Sequence, residues 1–427
     1  MRSRAVVPSF LLVLSGACTT APDAASVDAG ADTGASTVDA FVAADGTVDG
    51  GESCDVAPVT ITHTADAVTD TIHAHLLDTT VHPNAVCNDG TPGYFYFRRG
   101  VGGGAHRWIV YLEGGGSCES STDCVTRFHD TPGYMTSSTV HEGDGLPVAV
   151  EGIKEANATT NPDFYDANYV QLAYCSSDAW SGDTAATPGR PTSDIAHWSF
   201  RGRAIIDAVL TKVRTLGLSD GDEVLLVGSS AGGVGVFVSA DRIHEALGPN
   251  IRMLALPDAG FMIDYPAYDT TTMTESTAVP TARAADLAMA AGFWGGHGDE
   301  SCEAAATDPT SRLLCRSPYA LGIGNDLTTR FFIRQSQRDG VQIKAFIDGP
   351  TGTDAQHYKQ RWAAHMVDEL TMVSARHGVY STNDTQHGVI NDDSVWTTSS
   401  IGTVTLPGAI GAWYRDPCTN AEHRIGS

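Results

Sequence analysis

Positive charge is scarce in this sequence. Its 427 residues hold 26 lysines and arginines against 51 aspartates and glutamates, a net charge of −25. Such a surface offers no electrostatic footprint for a nucleic-acid backbone and no attraction to an anionic membrane. Apolar runs long enough to cross a membrane as a helix are missing too. No Cys-x-x-Cys pair and no His-Glu-x-x-His occurs, so no metal site is expected. Nothing in the sequence calls for a cofactor either. What is present suits a globular protein: 42% of residues are hydrophobic and 18% charged, enough to build a sizeable core.

The N-terminus reads as an address. Arg2 and Arg4 precede an apolar run over 5–14 and then Ser15-Gly-Ala-Cys18. This is the layout of an export signal over 1–17, too short to span a membrane. Cys18 after small residues fits lipidation at a bacterial lipoprotein site, although Ser15 stands where an aliphatic residue is usual. Plain secretion, with cleavage near Ala17 or Ala21, is the alternative. The expected location is therefore extracytoplasmic, on a bacterial outer membrane or secreted.

Residues 19–52 carry seven acidic residues and no lysine or arginine in an Ala, Asp, Gly, Thr, Ser and Val background. That composition cannot bury a core, so 18–52 is expected to be a disordered tether leading to a single domain over 53–427. Cys18 aside, eight cysteines remain: Cys54, Cys87, Cys118, Cys124, Cys175, Cys302, Cys315 and Cys418. An even number in an exported chain implies four disulfides, with about 105 connectivities open.

Within the body, strand-like runs at 108–112, 169–175, 223–227, 252–256 and 330–333 alternate with helical patterns at 200–216, 234–247 and 357–375. Alternation of this kind predicts an α/β fold of the α/β-hydrolase type, a mostly parallel sheet with helices on both faces. Ligands in such sheets bind beyond the carboxyl ends of the strands.

One strand delivers a serine onto a turn. In Glu223-Val-Leu-Leu-Val-Gly-Ser-Ser-Ala-Gly-Gly233 the apolar run enters Gly228-x-Ser230-x-Gly232, the elbow of serine hydrolases. Small neighbours let strand and helix approach while Ser230 Oγ stays exposed, and the helix amides behind it point at the serine. A plain small-residue turn is the bland alternative. A serine needs a base, and the base an acid, in the order Ser, Asp or Glu, His. Asp339 follows a late strand but could equally be a turn-forming Asp-Gly pair. Four histidines follow: His357 and His365 in a helical pattern, His377 at a helix end, and His387 in a polar loop. Residue type and position leave His377 and His387 both open. A second loop, Glu113-Gly-Gly-Gly-Ser117 after a strand, resembles the donor-rich loop of lipases and esterases. No Gly-Lys-Ser/Thr follows it, which argues against phosphate binding.

Taken in order, several segments resemble the pectin acetylesterase and Notum family of serine carboxylesterases. They are Cys87-Asn-Asp-Gly-Thr-Pro-Gly-Tyr94, Tyr111-Leu-Glu-Gly-Gly-Gly-Ser-Cys118, Tyr174-Cys-Ser-Ser-Asp-Ala-Trp-Ser-Gly182, Gly228-Ser-Ser-Ala-Gly-Gly233, Pro257-Asp-Ala-Gly-Phe261 and Arg338-Asp-Gly-Val-Gln-Ile343. The resemblance implies Ser230 as nucleophile, His387 as base and Asp339 as acid, with Asp258 a structural neighbour. It implies oxyanion donors at the amides of Gly115, Gly116 and Ala231. It also implies disulfides Cys87–Cys175, Cys118–Cys124 and Cys302–Cys315, which leaves Cys54–Cys418 as the remaining pair.

Two positions depart from the family. Asp384 stands where a cysteine often precedes the catalytic histidine, so that loop is expected to be held differently. Gly116 and Ser117 replace aromatic residues of Notum-like members, which points to a small acyl group. The expected activity is hydrolysis of O-acyl esters, acetyl above all, on polysaccharide. Deacylation of a lipid-modified protein or lipid, and an inactive surface-binding module, are the alternatives.

Overall fold

Nine strands pair into one sheet: β1 His73–Leu76, β2 Tyr94–Arg98, β3 Arg107–Leu112, β4 Asn168–Leu172, β5 Glu223–Ser229, β6 Arg252–Asp258, β7 Phe332–Arg334, β8 Gly378–Ser381 and β9 His423–Ile425. This computed structural model describes residues 54–426 except 64–67, 69–70, 186–197, 267, 270–273, 276–286, 288–291, 325 and 347–352. The signal at 1–17, Cys18 and the tether over 18–52 lie outside the described residues. The chain divides into a leading unit, Met1–Asp55, and a body, Val56–Ser427. Sheet, core and candidate site all belong to the body.

Spatially the strands run β1-β2-β4-β3-β5-β6-β7-β8-β9. β1 pairs antiparallel with β2, and β2 antiparallel with β4. All the remaining neighbours are parallel. The central strands are apolar on both faces because both faces are covered. Val224, Leu225, Leu226 and Val227 of β5 are wholly buried, as are Leu254, Ala255 and Leu256 of β6. Helices surround this sheet: α1 Ser121–Asp130, α2 Gly202–Leu216, α3 Ala231–Leu247, α4 Gly340–Phe346, α5 Thr353–Thr371 and α6 Leu406–Arg415. In α2 the apolar residues Ile205, Val209 and Val213 recur at four-residue spacing and are buried, the stripe that holds a helix on a sheet.

The expected α/β-hydrolase-like architecture is present. The helical pattern expected to reach residue 375 stops at Thr371, and the antiparallel edge formed by β1 and β2 has no counterpart in the expectations. Register sets the site. Leu112 lies opposite Gly228, and Ser229 opposite Asp258, so the loops after β3, β5 and β6 leave the sheet side by side.

Candidate active site

Ser230 is the hinge between β5 and α3. Its backbone sits at φ 57° and ψ −122°, a region that costs a non-glycine residue about 1–3 kcal/mol and persists only where its surroundings enforce it. The enforcement is visible. The Ser230 amide donates to the Asp258 carbonyl at 2.9 Å, and a methyl group on Gly232 would collide with the Leu112 carbonyl. Only a residue without a Cβ lets α3 start this close to β3.

His387, in the loop after β8, reaches this serine. Its Nε2 lies 2.8 Å from Ser230 Oγ. Its Nδ1 lies 2.9 and 2.8 Å from the two carboxylate oxygens of Asp339, in the loop after β7. Asp339 is fully buried and also accepts from the amides of Val341 at 3.0 Å and Gln342 at 3.2 Å, and from Gln335 Nε2 at 2.9 Å. Burial alone would raise its pKa. The hydrogen bond and charge of His387, with the Gln342 amide and Gln335, outweigh burial and hold it below the ordinary carboxylate value. An ionised Asp339 fixes the proton on Nδ1 and leaves Nε2 free to accept from the serine hydroxyl.

The other histidines stand elsewhere. His377 precedes β8, at its amino end, is fully buried, and accepts from the Phe331 amide at 3.2 Å through Nδ1. His365 lies on α5, within 3.1 Å of the Asp264 carbonyl. His357 is on α5 as well.

Gly115 and Gly116 follow β3 with φ of 147° and 74°, conformations that favour glycine. Among the described residues none accepts from the amides of Gly115, Gly116 or Ala231. Ala231 opens α3, where the first amides of a helix have no partner within it. The glycine loop is braced by Arg127 of α1, which no motif announced. Its Nη2 donates to the Gly115 carbonyl at 2.7 Å and its Nε to the Ser177 hydroxyl at 2.9 Å. The same guanidinium lies 5.1 Å from the centre of the Tyr134 ring. Ser177, Ala179 and Trp180 all have positive φ, and Asp178 between them accepts from the Gly202 amide at 2.8 Å, at the start of α2. Asp178 is pushed up to about 6, mainly by burial, against the hydroxyl of Ser176 and the Gly202 amide.

Glu113, one residue before the glycines, accepts from the Tyr174 amide at 2.9 Å. Desolvation of its carboxylate raises it to about 7, with the Tyr174 amide and the Lys154 charge pulling the other way. Beside the glycines, Gly116 is exposed and Ser117 half-buried, with no ring at either position. Asp384, in the loop that carries His387, accepts from the Ser336 hydroxyl at 2.6 Å and the Gln386 amide at 2.9 Å.

Disulfides join Cys87 to Cys175, Cys118 to Cys124 and Cys302 to Cys315. Cys54 and Cys418 are disulfide-bonded too. Cys118–Cys124 ties the end of the glycine loop to α1, and Cys87–Cys175 anchors the strained segment that Arg127 touches.

Comparison with known proteins gives one family. The sequence model described as pectinacetylesterase matches residues 65–425. The chain is 32% identical over 350 residues to the palmitoleoyl-protein carboxylesterase NOTUM of Drosophila melanogaster, covering 80% of this chain and 48% of that protein. It is 29% identical over 279 residues to pectin acetylesterase 11 of Arabidopsis thaliana, covering 65% of each. The chain thus spans about half the length of the fly relative. The solved structure of the Wnt deacylase Notum from Drosophila superposes with a TM-score of 0.71 at 28% identity, covering 84% of this chain and 96% of that one.

Proposed function

We propose that this chain, which belongs to the pectinacetylesterase family, is a carboxylic ester hydrolase that works by a serine acyl-enzyme mechanism with Ser230, His387 and Asp339 as its triad. One observation carries this reading: His387 bridges the Ser230 hydroxyl and the buried Asp339 carboxylate, with contacts of 2.8 Å on either side.

Ser230 Oγ attacks the ester carbonyl as His387 Nε2 takes its proton. Asp339 keeps the imidazole in the right tautomer and stabilises the cation. The carbonyl oxygen becomes an oxyanion facing the amides of Gly115, Gly116 and Ala231, each such donor being worth about 2.7–4 kcal/mol in the transition state. Collapse breaks the ester bond, and the leaving alcohol takes the proton from His387. Water then gives a proton to Nε2 and attacks the acyl-serine, releasing the acid and restoring Ser230.

The substrate we favour is a small O-acyl ester, acetyl above all, on polysaccharide. Gly116 and Ser117 support this, because neither contributes a ring to line a long acyl chain; the ring against this loop is that of Tyr134, packed on Gly115 and beside Arg127. Disulfide-bonded cysteines fit an exported protein, secreted or lipid-anchored through Cys18. The second reading, removal of a long acyl chain from a protein or lipid, draws on the similarity to NOTUM. Turnover of p-nitrophenyl esters from acetate to palmitate separates the two. An optimum at two to four carbons is expected, and an optimum at eight or more would favour the second reading. Ser230→Ala should abolish turnover of every ester in the series.

A further inference from the structure

Behind the three residues assigned to the chemistry lies a connected set of polar side chains with no part in any step. Asp258, at the end of β6, is fully buried. Its Oδ2 accepts from the Ser229 hydroxyl at 2.9 Å, the Val389 amide at 2.8 Å and the Ile390 amide at 3.4 Å. Its Oδ1 accepts from Arg334 Nη1 at 3.2 Å, and Arg334 is as buried as its partner. Nη2 of the same guanidinium donates to the Ser336 hydroxyl at 2.7 Å. That hydroxyl donates to Asp384 Oδ1 at 2.6 Å, which accepts from the Gln386 amide at 2.9 Å as well. The network therefore grips the His387 loop on both sides, at Asp384 and Gln386 before the imidazole and at Val389 and Ile390 after it. Backbone bonds from Arg338 to Asp384 and from Gly340 to Thr385, both 3.1 Å, fasten the same loop to that of Asp339.

Stability alone is a poor account of such a device. A buried ion pair roughly breaks even against apolar residues of the same shape, and here Arg334 Nε has no partner among the described residues. What the network does secure is location. The amides it holds flank the imidazole that must stand within hydrogen-bond reach of Ser230 Oγ. We propose that Asp258, Arg334, Ser336 and Asp384 are positioning residues that set the place of the His387 ring relative to Ser230. The inference rests on the triad reading above and adds to it the means by which the base is held.

Asp384 is the point at which to test it, because its side chain is 35% exposed and its loss leaves no buried charge except Arg334, still paired with Asp258. In Asp384→Ala, kcat for p-nitrophenyl acetate is expected to fall roughly tenfold to hundredfold with KM unchanged, the scale of a misplacement of about 1 Å. Asp384→Asn keeps an acceptor for Ser336 and Gln386 and should retain kcat to within about threefold. Melting by circular dichroism measures the folded fraction of each variant. A wild-type kcat in Asp384→Ala, a loss that merely tracks the folded fraction, or a loss in Asp384→Asn as deep as in alanine would overturn the proposal. Fluorophosphonate labelling of the wild-type enzyme is run alongside: failure to label Ser230 would count against the triad reading itself.

Discussion

Ser230 and Asp339 are held by backbone as much as by side chains, and that is where single substitutions should bite. Asp339→Asn presents an amide to His387 Nδ1 and favours the wrong tautomer, so kcat should drop about 10⁴-fold. Asp339 itself is depressed in the folded protein. Its contribution to stability is therefore present above the ordinary carboxylate range and is lost as pH falls through the lower folded value. Glu113 behaves oppositely. Its folded value of about 7 exceeds the ordinary 4.5, so the folded protein holds a proton that the unfolded chain releases, and stability declines as pH rises across that window. Glu113→Gln should match the wild-type Tm near pH 4.5 and exceed it at pH 8 in thermal melts. A higher Tm for the variant at the acid end would contradict the assignment. None of this was legible in the sequence, where Glu113 is only the residue before three glycines. Its environment comes from Tyr174 and Lys154, distant in the chain.

The elements that carry the site were partly legible. β3, β5 and β6 announce themselves as apolar runs because both faces are covered, and the elbow follows from glycines that no other residue could replace at Gly228 and Gly232. The short β1, β8 and β9 gave no comparable signal, since strands of three or four residues owe their pairing to neighbours rather than to pattern; β2 carries the aromatic run Tyr94-Phe-Tyr-Phe-Arg98 but was not among the expected strands. His377 and His387 could not be told apart by residue type. The structure separates them by placing one before β8 and the other after it. Arg127 was invisible because its role depends on α1 returning to the Gly115 carbonyl. Arg127→Leu should loosen the glycine loop, and kcat is expected to fall about tenfold to hundredfold, or 1.4–2.7 kcal/mol, with KM within about twofold. Equal kcat in variant and wild type would mean that the loop holds its shape without this donor.

At the scale of the whole molecule, charge and disulfides dominate. With a net charge of −25, an anionic polymer should be repelled at low salt and a neutral ester should not. Raising salt from about 20 to 300 mM should leave kcat/KM for p-nitrophenyl acetate flat and raise it for an acetylated uronic-acid polymer. Cys87–Cys175 closes a loop of 88 residues, and replacing both cysteines by serine should cost about 2–5 kcal/mol of stability, read as a lower denaturant midpoint. The centre of the account remains the serine at the end of β5 and the imidazole beside it. Its most direct test is mass spectrometry of the enzyme after inactivation by a fluorophosphonate. A single adduct on Ser230, formed in step with loss of esterase activity and absent from His387→Ala, is the predicted result. An adduct on another residue, or inactivation with Ser230 unmodified, would contradict it.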